Sequence, residues 1–569
     1  MVGGLTILAV TGDAQDNHFY TGNPELSFFK SVYRKHTKFS LETKTTEFDK
    51  KTLSNTDDTV LELRIPRNGD LLKSMYLTFN LPDIYSGQNS SISPTRYFHF
   101  KWIRNLGHYI IKKMDFKIGS LIIQTMWGEW LDVWKELHLP EEEREGYDAM
   151  IGNTPDMYAP ETANGNLASK TVAINSSEIQ IRKEEYPHTK DVNEWGGTYN
   201  TLPNEQLTET ITDITLPSIT GRKIKVPLDF WFQKHAAYAL PLIALQRIEC
   251  FVKLTLRPLK DLYTISVADI PSAAAQASTG GLRIKHNSTT FSTSGIQFFV
   301  KPNDTISVAG TGSSKTLTSF PINPALEMTF VFLDTTERRK FAQTSHSYLI
   351  QTYKRVQSTN NRNATIDIEA NSNHHVKEVV IVPKRTDAGN VNEWDNFTNW
   401  LQKDVDPRSL KFWKSYEADT PYYDTVESKY PFPSRTYSVS LFTKDYLQKD
   451  IITNIELKLN GVALFKKQDS IYFQHQQAFE YHKNNPKDGI YVYSFSLNPN
   501  NAIQPSGTIN LAGQRFNCKL TFQSLPTSSS YTTELETTYV SDYGYDINIY
   551  LVQYNILSIQ NGIGALQFS

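Results

Sequence analysis

From Phe230 to Leu245 the chain is apolar except at Gln233-Lys234-His235, and such a run within a chain of negative mean hydropathy has to be largely buried. The residues that follow alternate, with Ile248, Cys250, Val252, Leu254 and Leu256 on one face, which predicts a strand over Gln246–Leu256 with one side on a core. A two-residue period also starts near Thr37. Phe39, Leu41, Thr43 and Thr45 share a face while Lys38, Glu42 and Lys44 lie off it, the pattern of a half-buried strand. Residues 60–65 and 75–81 read as strands, each followed by a proline, Pro66 and Pro82. Residues 109–118 and 121–125 pair through a turn at Gly119-Ser120. The period then becomes helical: Trp127, Trp130, Leu131, Trp134 and Leu137 form one stripe, and Pro140, the acidic run Glu141–Glu145 and Gly146 are expected to end that helix in solvent. Leu326–Asp334 is another alternating strand, followed by a charged helix over Thr335–Gln343 with Thr335 or Thr336 as its cap. Ahead of all this, residues 1–24 read as an arm with a turn at Thr21-Gly22-Asn23-Pro24 and Asn23 capping a short helix to Lys30. The arm has little core of its own and needs a neighbour to order it.

Two pieces of the chain recur. Ile110–Ile123 lines up with Ile451–Leu464, matching Asp115 with Glu456, Lys117 with Lys458, and the Gly119-Ser120 turn with Asn460-Gly461. A helical segment is expected after the second hairpin as after the first, over Tyr472–Phe479. Gln246–Cys250 then resembles Gln514–Cys518, and each reaches a Lys-Leu-Thr, at Lys253 and Lys519. Two extra residues, Phe251-Val252, precede the first of these, so either the cysteines or the Lys-Leu-Thr runs are equivalent, but not both. Two matches in the same order indicate a tandem repeat of one β-domain. Between the copies, residues 261–322 hold small, polar stretches with strand-like pieces such as Ile296–Val300, the signature of a long excursion or linker at the surface.

Composition narrows the function. At 569 residues the chain exceeds one core; length suggests roughly three or four domains, although two large β-sandwiches of about 200–250 residues fit as well. Aromatics reach 12%, rich in Tyr and Phe, which suit pleated half-buried surfaces. A formal net charge of −2 provides no field to recruit nucleic acid or an anionic membrane, which argues against direct DNA packaging. Only Cys250 and Cys518 are present, too few for a disulfide framework; both are expected to be small buried hydrophobes in a reducing compartment. The first residues carry no basic segment and only a short apolar run, unlike a signal peptide, and no stretch reaches about 18 apolar residues. Six Asn-x-Ser/Thr triplets, at Asn89, Asn175, Asn287, Asn303, Asn363 and Asn396, read as chance in an Asn/Ser/Thr-rich chain.

No constellation carries catalysis. His374-His375 sits in an Asn-rich loop, and neighbours on a strand point to opposite faces, a poor arrangement for chelating one metal. Asp57-Asp58 is flanked by Ser54-Asn55-Thr56 and reads as a turn. Gly310–Thr316 superficially resembles a phosphate loop, but Lys315 follows serine and no helix-forming run comes after it. The tryptophan stripe is compatible with sugar stacking, yet its helical spacing favours a packed core or interface face. Arg338-Arg339-Lys340 is offset by Asp334 and Glu337 as a solvated helix face. No catalytic, cofactor-binding or metal-ligating residue is assigned; the signal lies in architecture, which points to a structural or binding protein.

Several stretches together resemble the major capsid proteins of nucleocytoplasmic large DNA viruses. Thr11–Asp16, Thr21–Pro24 and Phe28–Phe39 are similar to the family's opening signature, and Pro227–Phe232 with Ala239–Gln246 to its most characteristic internal block. Leu333–Gln343, Gln504–Asn510, Tyr554–Leu557 and Gly562–Ser569 continue the match in the family's order, while 261–322 has no place in the pattern. The resemblance implies an all-β fold of two consecutive antiparallel eight-stranded jelly rolls with short helices and long loop insertions. The expected division is an arm at 1–24, a first jelly roll at 25–260, the excursion at 261–322 and a second jelly roll at 323–569. It further implies a non-enzymatic shell protein without cofactor: a homotrimeric, pseudo-hexagonal capsomer tiling an icosahedral capsid. The arm would lie at the capsomer base, tied to neighbouring capsomers and minor capsid proteins. Any inner viral membrane would be near only indirectly, and nucleic acid would not be touched. The protein would be made and assembled in the host cytoplasm and reside in the virion. The alternative is a carbohydrate-binding or carbohydrate-active β-sandwich protein using the tryptophans as a platform.

Overall fold

The computed structural model describes residues 35–86, 96–160, 166–174, 177–183, 217–269, 282–283, 295–300, 306–309, 316–399, 449–482, 484–523 and 543–568, with isolated positions before residue 35. The arm, the helix expected to Lys30 and the glycine-rich segment 310–315 therefore lie outside the described residues.

The strands run in chain order as β1 (Phe39–Glu47), β2 (Thr59–Arg64), β3 (Leu71–Asn80), β4 (Arg96–Trp102), β5 (Ile111–Ile118), β6 (Leu121–Met126), β7 (Asn166–Ile174), β8 (Ser177–Lys183), β9 (Lys223–Pro227), β10 (Leu240–Pro241), β11 (Cys250–Leu256), β12 (Tyr263–Asp269), β13 (Leu282–Arg283), β14 (Ser307–Ala309), β15 (Thr316–Ser319) and β16 (Ala325–Leu333). Then come β17 (His346–Asn361), β18 (Thr365–Glu369), β19 (His375–Arg385), β20 (Ile452–Leu459), β21 (Val462–Ala463), β22 (Gln468–Asp469), β23 (Tyr491–Ser494), β24 (Ile509–Asn510), β25 (Phe516–Phe522), β26 (Tyr545–Gln560) and β27 (Ile563–Leu566). Among the described residues the α-helices are α1 (Leu106–Tyr109), α2 (Gly128–His138), α3 (Glu141–Ile151), α4 (Pro155–Tyr158) and α5 (Thr335–Gln343), with short 3-10 turns and two π-helical segments, Tyr472–Gln476 and Ala478–His482, besides.

The strands form two sandwiches on one plan. In the first, β1-β16-β3-β10 faces β2-β11-β5-β6; in the second, β17-β26-β19-β23 faces β18-β25-β20-β21. In each, the opening strand pairs with the closing one, and the penultimate strand lies between the second strand and the hairpin. Period-two side chains from facing sheets, Met75 and Leu77 against Val252 and Leu254 for example, fill the first core. The second core has its own set around Val379, Leu457, Leu520 and Ile549.

The register settles the repeat. Lys253 stands opposite Asp115, and Lys519 opposite Glu456. The Lys-Leu-Thr runs are thus equivalent, and Cys518, opposite Leu457, takes the place of Val252, opposite Phe116. In both sandwiches a lysine stands opposite an acid at this register, while the neighbouring core position needs only apolar volume, which cysteine and valine supply alike. Both cysteines are buried and unbridged in separate sandwiches; burial pushes the Cys250 thiol up to about 12 and the Cys518 thiol further still.

Several expectations need correction. β16 is not the start of the second sandwich: it pairs along its whole length with β1 and also with β3, closing the first. A boundary at 323 is therefore wrong, and 261–322 is an insertion between the penultimate and last strands of the first sandwich. That insertion is not wholly a surface linker either. β12 pairs with β4, and Tyr263, Ile265, Ile296, Phe299, Phe320 and Ile322 enter the first core. The strand expected from Gln246 starts at Cys250, because the Arg67 guanidinium draws the Leu245, Gln246 and Ile248 carbonyls away from sheet pairing, at 2.6, 3.0 and 2.8 Å. α2 ends before Pro140 and the acidic run is exposed, as expected, but the run also opens a helix not foreseen, α3, where Glu141, Glu142 and Glu143 meet the positive end, Tyr147 and Ile151 bury one face, and Gly152 at φ 75° closes it. Asp334, not a threonine, occupies the cap position of α5. β1 is a strand as expected, but Phe39 and Leu41 are 57% and 48% exposed rather than half-buried.

Candidate functional site

Where the sandwiches meet, α2 is the part that joins them. Its helical stripe turns Trp130, Leu131 and Leu137 inward, and Glu129 near its start and Lys135 in its last turn suit the helix dipole. The helix enters tightly: a Cβ on Gly128 would stand 2.1 Å from the His108 carbonyl oxygen, so only glycine fits there. Its polar side is buried as well, and Glu129, Asp132 and Lys135 each reach partners there.

Glu129 accepts from Lys384 at 2.5 Å, Asn548 Nδ2 at 2.7 Å and the Tyr550 hydroxyl at 2.9 Å, all from the second sandwich. Burial opposes its charge, but the Lys384 ammonium and these hydrogen bonds outweigh it and hold the carboxyl below its ordinary range. One turn on, Asp132 accepts from the Tyr109 hydroxyl at 2.7 Å, from Asn105 Nδ2 at 3.2 Å and from the Lys487 ammonium. Burial again opposes ionisation, and the Lys487 and Lys135 cations overcome it by a wide margin. Asn484 Nδ2 donates to the carbonyls of Leu137 and Leu139 at 2.9 and 3.1 Å, satisfying the end of the helix from the second sandwich.

The tryptophans are packed at this seam. Trp130 lies against Tyr353 and Tyr550, with ring centroids 4.8 and 5.0 Å apart. The Arg355 guanidinium covers Trp127 at 4.5 Å, while Lys234 covers one face of Trp134 at 4.0 Å and His138 stacks on it. Trp127 borders a cleft of about 430 Å³ with Tyr353, Arg355 and His374, but its ring is engaged and offers no sugar platform.

The other motifs resolve as structure. Asp57 takes the Thr56 hydroxyl and donates its own amide to Ser54 Oγ, a turn, while Asp58 pairs with Lys112. Arg338 pairs with Asp70 at 3.0 Å on an exposed helix face. His374 sits in a bend and His375 opens β19, so the two do not converge. Asn396 is buried and donates to Glu393, which leaves no room for a glycan. Sequence spacing missed one group of possible metal ligands, His138, Glu378 and His482, whose ligand atoms lie within 4.8 Å of one another.

Comparison with known proteins agrees with this architecture. Residues 27–300 match the family described as major capsid protein N-terminus, and residues 337–565 match the large eukaryotic DNA virus major capsid protein, together most of the chain. The chain belongs to the major capsid proteins of large eukaryotic DNA viruses. It is 25% identical to the major capsid protein of Phaeocystis pouchetii virus and 26% to that of Pyramimonas orientalis virus, covering 100% of both chains in each case. Among solved structures it is similar to PBCV-1 VP54, with a TM-score of 0.56, 19% identity and coverage of 95% of this chain and 100% of the other. The Faustovirus major capsid protein also gives 0.56, at 12% identity and with coverage of 98% and 97%. The fold is the double jelly roll, and the chain, as a member of this family, is a structural component of the virion shell, not an enzyme. The seam joins the two jelly rolls through buried polar contacts.

Proposed function

We propose that three copies of this chain form a pseudo-hexagonal capsomer, six jelly rolls in outline, that tiles an icosahedral shell. One observation carries the reading: two sandwiches of identical strand order are fused through the buried Glu129–Lys384 and Asp132–Lys487 seam, so each chain presents a rigid pair of similar edges. A threefold arrangement of such pairs approximates sixfold symmetry, the shape that tiles a surface. A near-neutral chain suits many weak lateral contacts. The arm, residues 1–24, lies at the capsomer base and ties it to neighbouring capsomers and minor capsid proteins, with assembly in the host cytoplasm. Light scattering tests the proposal: three chains of 65.0 kDa give a particle of about 195 kDa, seen as hexagonal outlines in negative stain. A chain lacking residues 1–24 is expected to give the same trimer but to assemble poorly. A monomer at all concentrations overturns the trimer, and normal shells from the shortened chain overturn the role of the arm.

A further inference from the structure

The geometry points to a structural metal site for a divalent transition ion of the zinc class, formed by His138, Glu378 and His482 where the two sandwiches meet. His138 closes α2, and His482 closes the π-helical segment Ala478–His482. Both segments follow the equivalent strand hairpins of their own repeats, so the duplicated plan brings the two histidines face to face, ring centroids 5.2 Å apart. Glu378, buried on β19, supplies the carboxylate between them.

The hydrogen bonding leaves several buried acceptors of this cluster unanswered. Asn500 Nδ2 donates to the His482 carbonyl at 2.7 Å, which turns its Oδ1 toward His482 Nδ1 at 3.0 Å. His482 must then carry its proton on Nδ1, and its Nε2 lone pair faces Glu378 Oε2 at 3.1 Å, acceptor against acceptor in a buried site. Among the described residues, His482 Nε2, both Glu378 oxygens and His138 Nδ1 are buried without a hydrogen-bond partner. A second proton on Nε2 would pair that nitrogen with Glu378 alone and leave His138 Nδ1 unanswered. A cation between the three groups would satisfy all of them. Tetrahedral coordination at about 2.0–2.1 Å sets ligand atoms roughly 3.3 Å apart, close to the His482–Glu378 spacing, with His138 needing a small closure. Histidine held by a carbonyl oxygen through its other nitrogen is the usual support for a ligand. Burial keeps His138 in the neutral form that ligation needs. Lys377, 3.5 Å from Glu378 Oε1, opposes the ion, but its ammonium also donates to the Pro499 carbonyl at 2.9 Å. His138 as a residue is partly exposed although its Nδ1 is buried, so the cluster lies next to solvent.

The test uses the full chain, stripped with chelator and then given Zn²⁺ or Co²⁺ alone. Expected are one equivalent of metal per chain by elemental mass spectrometry, a melting temperature raised by several degrees with Zn²⁺, and visible absorption of four-coordinate Co²⁺. His138→Gln and Glu378→Gln should weaken uptake on the order of 100-fold or more. Folded wild-type protein that takes up neither ion overturns the site, as do folded variants that bind like wild type. Should the variants fail to fold, the Co²⁺ spectrum of the wild-type chain decides alone.

Discussion

Asp132 shows how much a single buried group depends on its partners. Its two oxygens receive Tyr109, Asn105 and Lys487, and it has no water to fall back on. Removing the cation while keeping the volume, Lys487→Met, leaves a buried carboxylate short of its compensating charge and should cost about 3–5 kcal/mol in denaturant unfolding. Adding Asp132→Asn should recover a large part of that loss, since the neutral amide no longer requires the ammonium. If the double variant is as unstable as the two single losses summed, the pair is not coupled and the seam is held by packing alone.

At the scale of elements, β1 is the strand whose surroundings differ most from its sequence pattern. Among the described residues it is an edge strand, paired with β16, and its apolar face carries Phe39 and Leu41 into the open on the isolated chain. Exposed edge strands are ordinarily blunted by charge or covered. The double change Phe39→Ser with Leu41→Ser should therefore leave chain stability within about 0.5 kcal/mol, since surface changes rarely exceed that. It should lower trimer content or shell yield, because the face is suited to a neighbour or to the chain's own arm. Unchanged assembly would remove β1 from the contact surface. A melting temperature that drops sharply would mean instead that the face is covered within the chain.

For the whole molecule, acid is the condition that separates the seam from the rest. His108 is buried against the Tyr147 hydroxyl at 2.9 Å, and burial, helped by the Lys135 cation, lowers it to about 3. The unfolded chain takes up that proton near pH 6.5, so stability falls as pH drops from about 6.5 toward 3, by up to about 1.4 kcal/mol per pH unit. Asp132 and Glu129 are held below their ordinary range, so their contribution is complete above about pH 4 and is lost as pH falls through their folded values. Melting temperature should decline gently from neutral to pH 4 and steeply below. His108→Gln should make the first part shallower, the remainder belonging to the buried His138, and leave the second. A profile that stays level from pH 7 to pH 5 would contradict the buried neutral His108.

The local patterns were enough for part of the elements: alternation marked β2, β3, the β5–β6 hairpin, β11 and β16, and the tryptophan stripe marked α2, while the long strands β17, β19 and β26 went unassigned. The recurrence of Asp115 and Lys117 at Glu456 and Lys458, with Lys253 and Lys519, was enough to show duplication, because cross-strand pairing repeats wherever register does. Blocks such as Pro227–Phe232 carried the family. What sequence could not decide was which sheet a strand joins: β16 follows its insertion toward the second half, yet pairs with β1, nearly three hundred residues earlier in register. Alternation reports that one face is buried, not against what, and β1 looked half-buried for the same reason. The seam was equally hidden. Glu129, Lys384 and Asn548, or His138, Glu378 and His482, are each ordinary polar residues in the chain, and only the docking of the two sandwiches strips their water and brings them together. Local chemistry specified the pieces, and the long-range packing of two similar sandwiches decided which polar groups would have to answer one another.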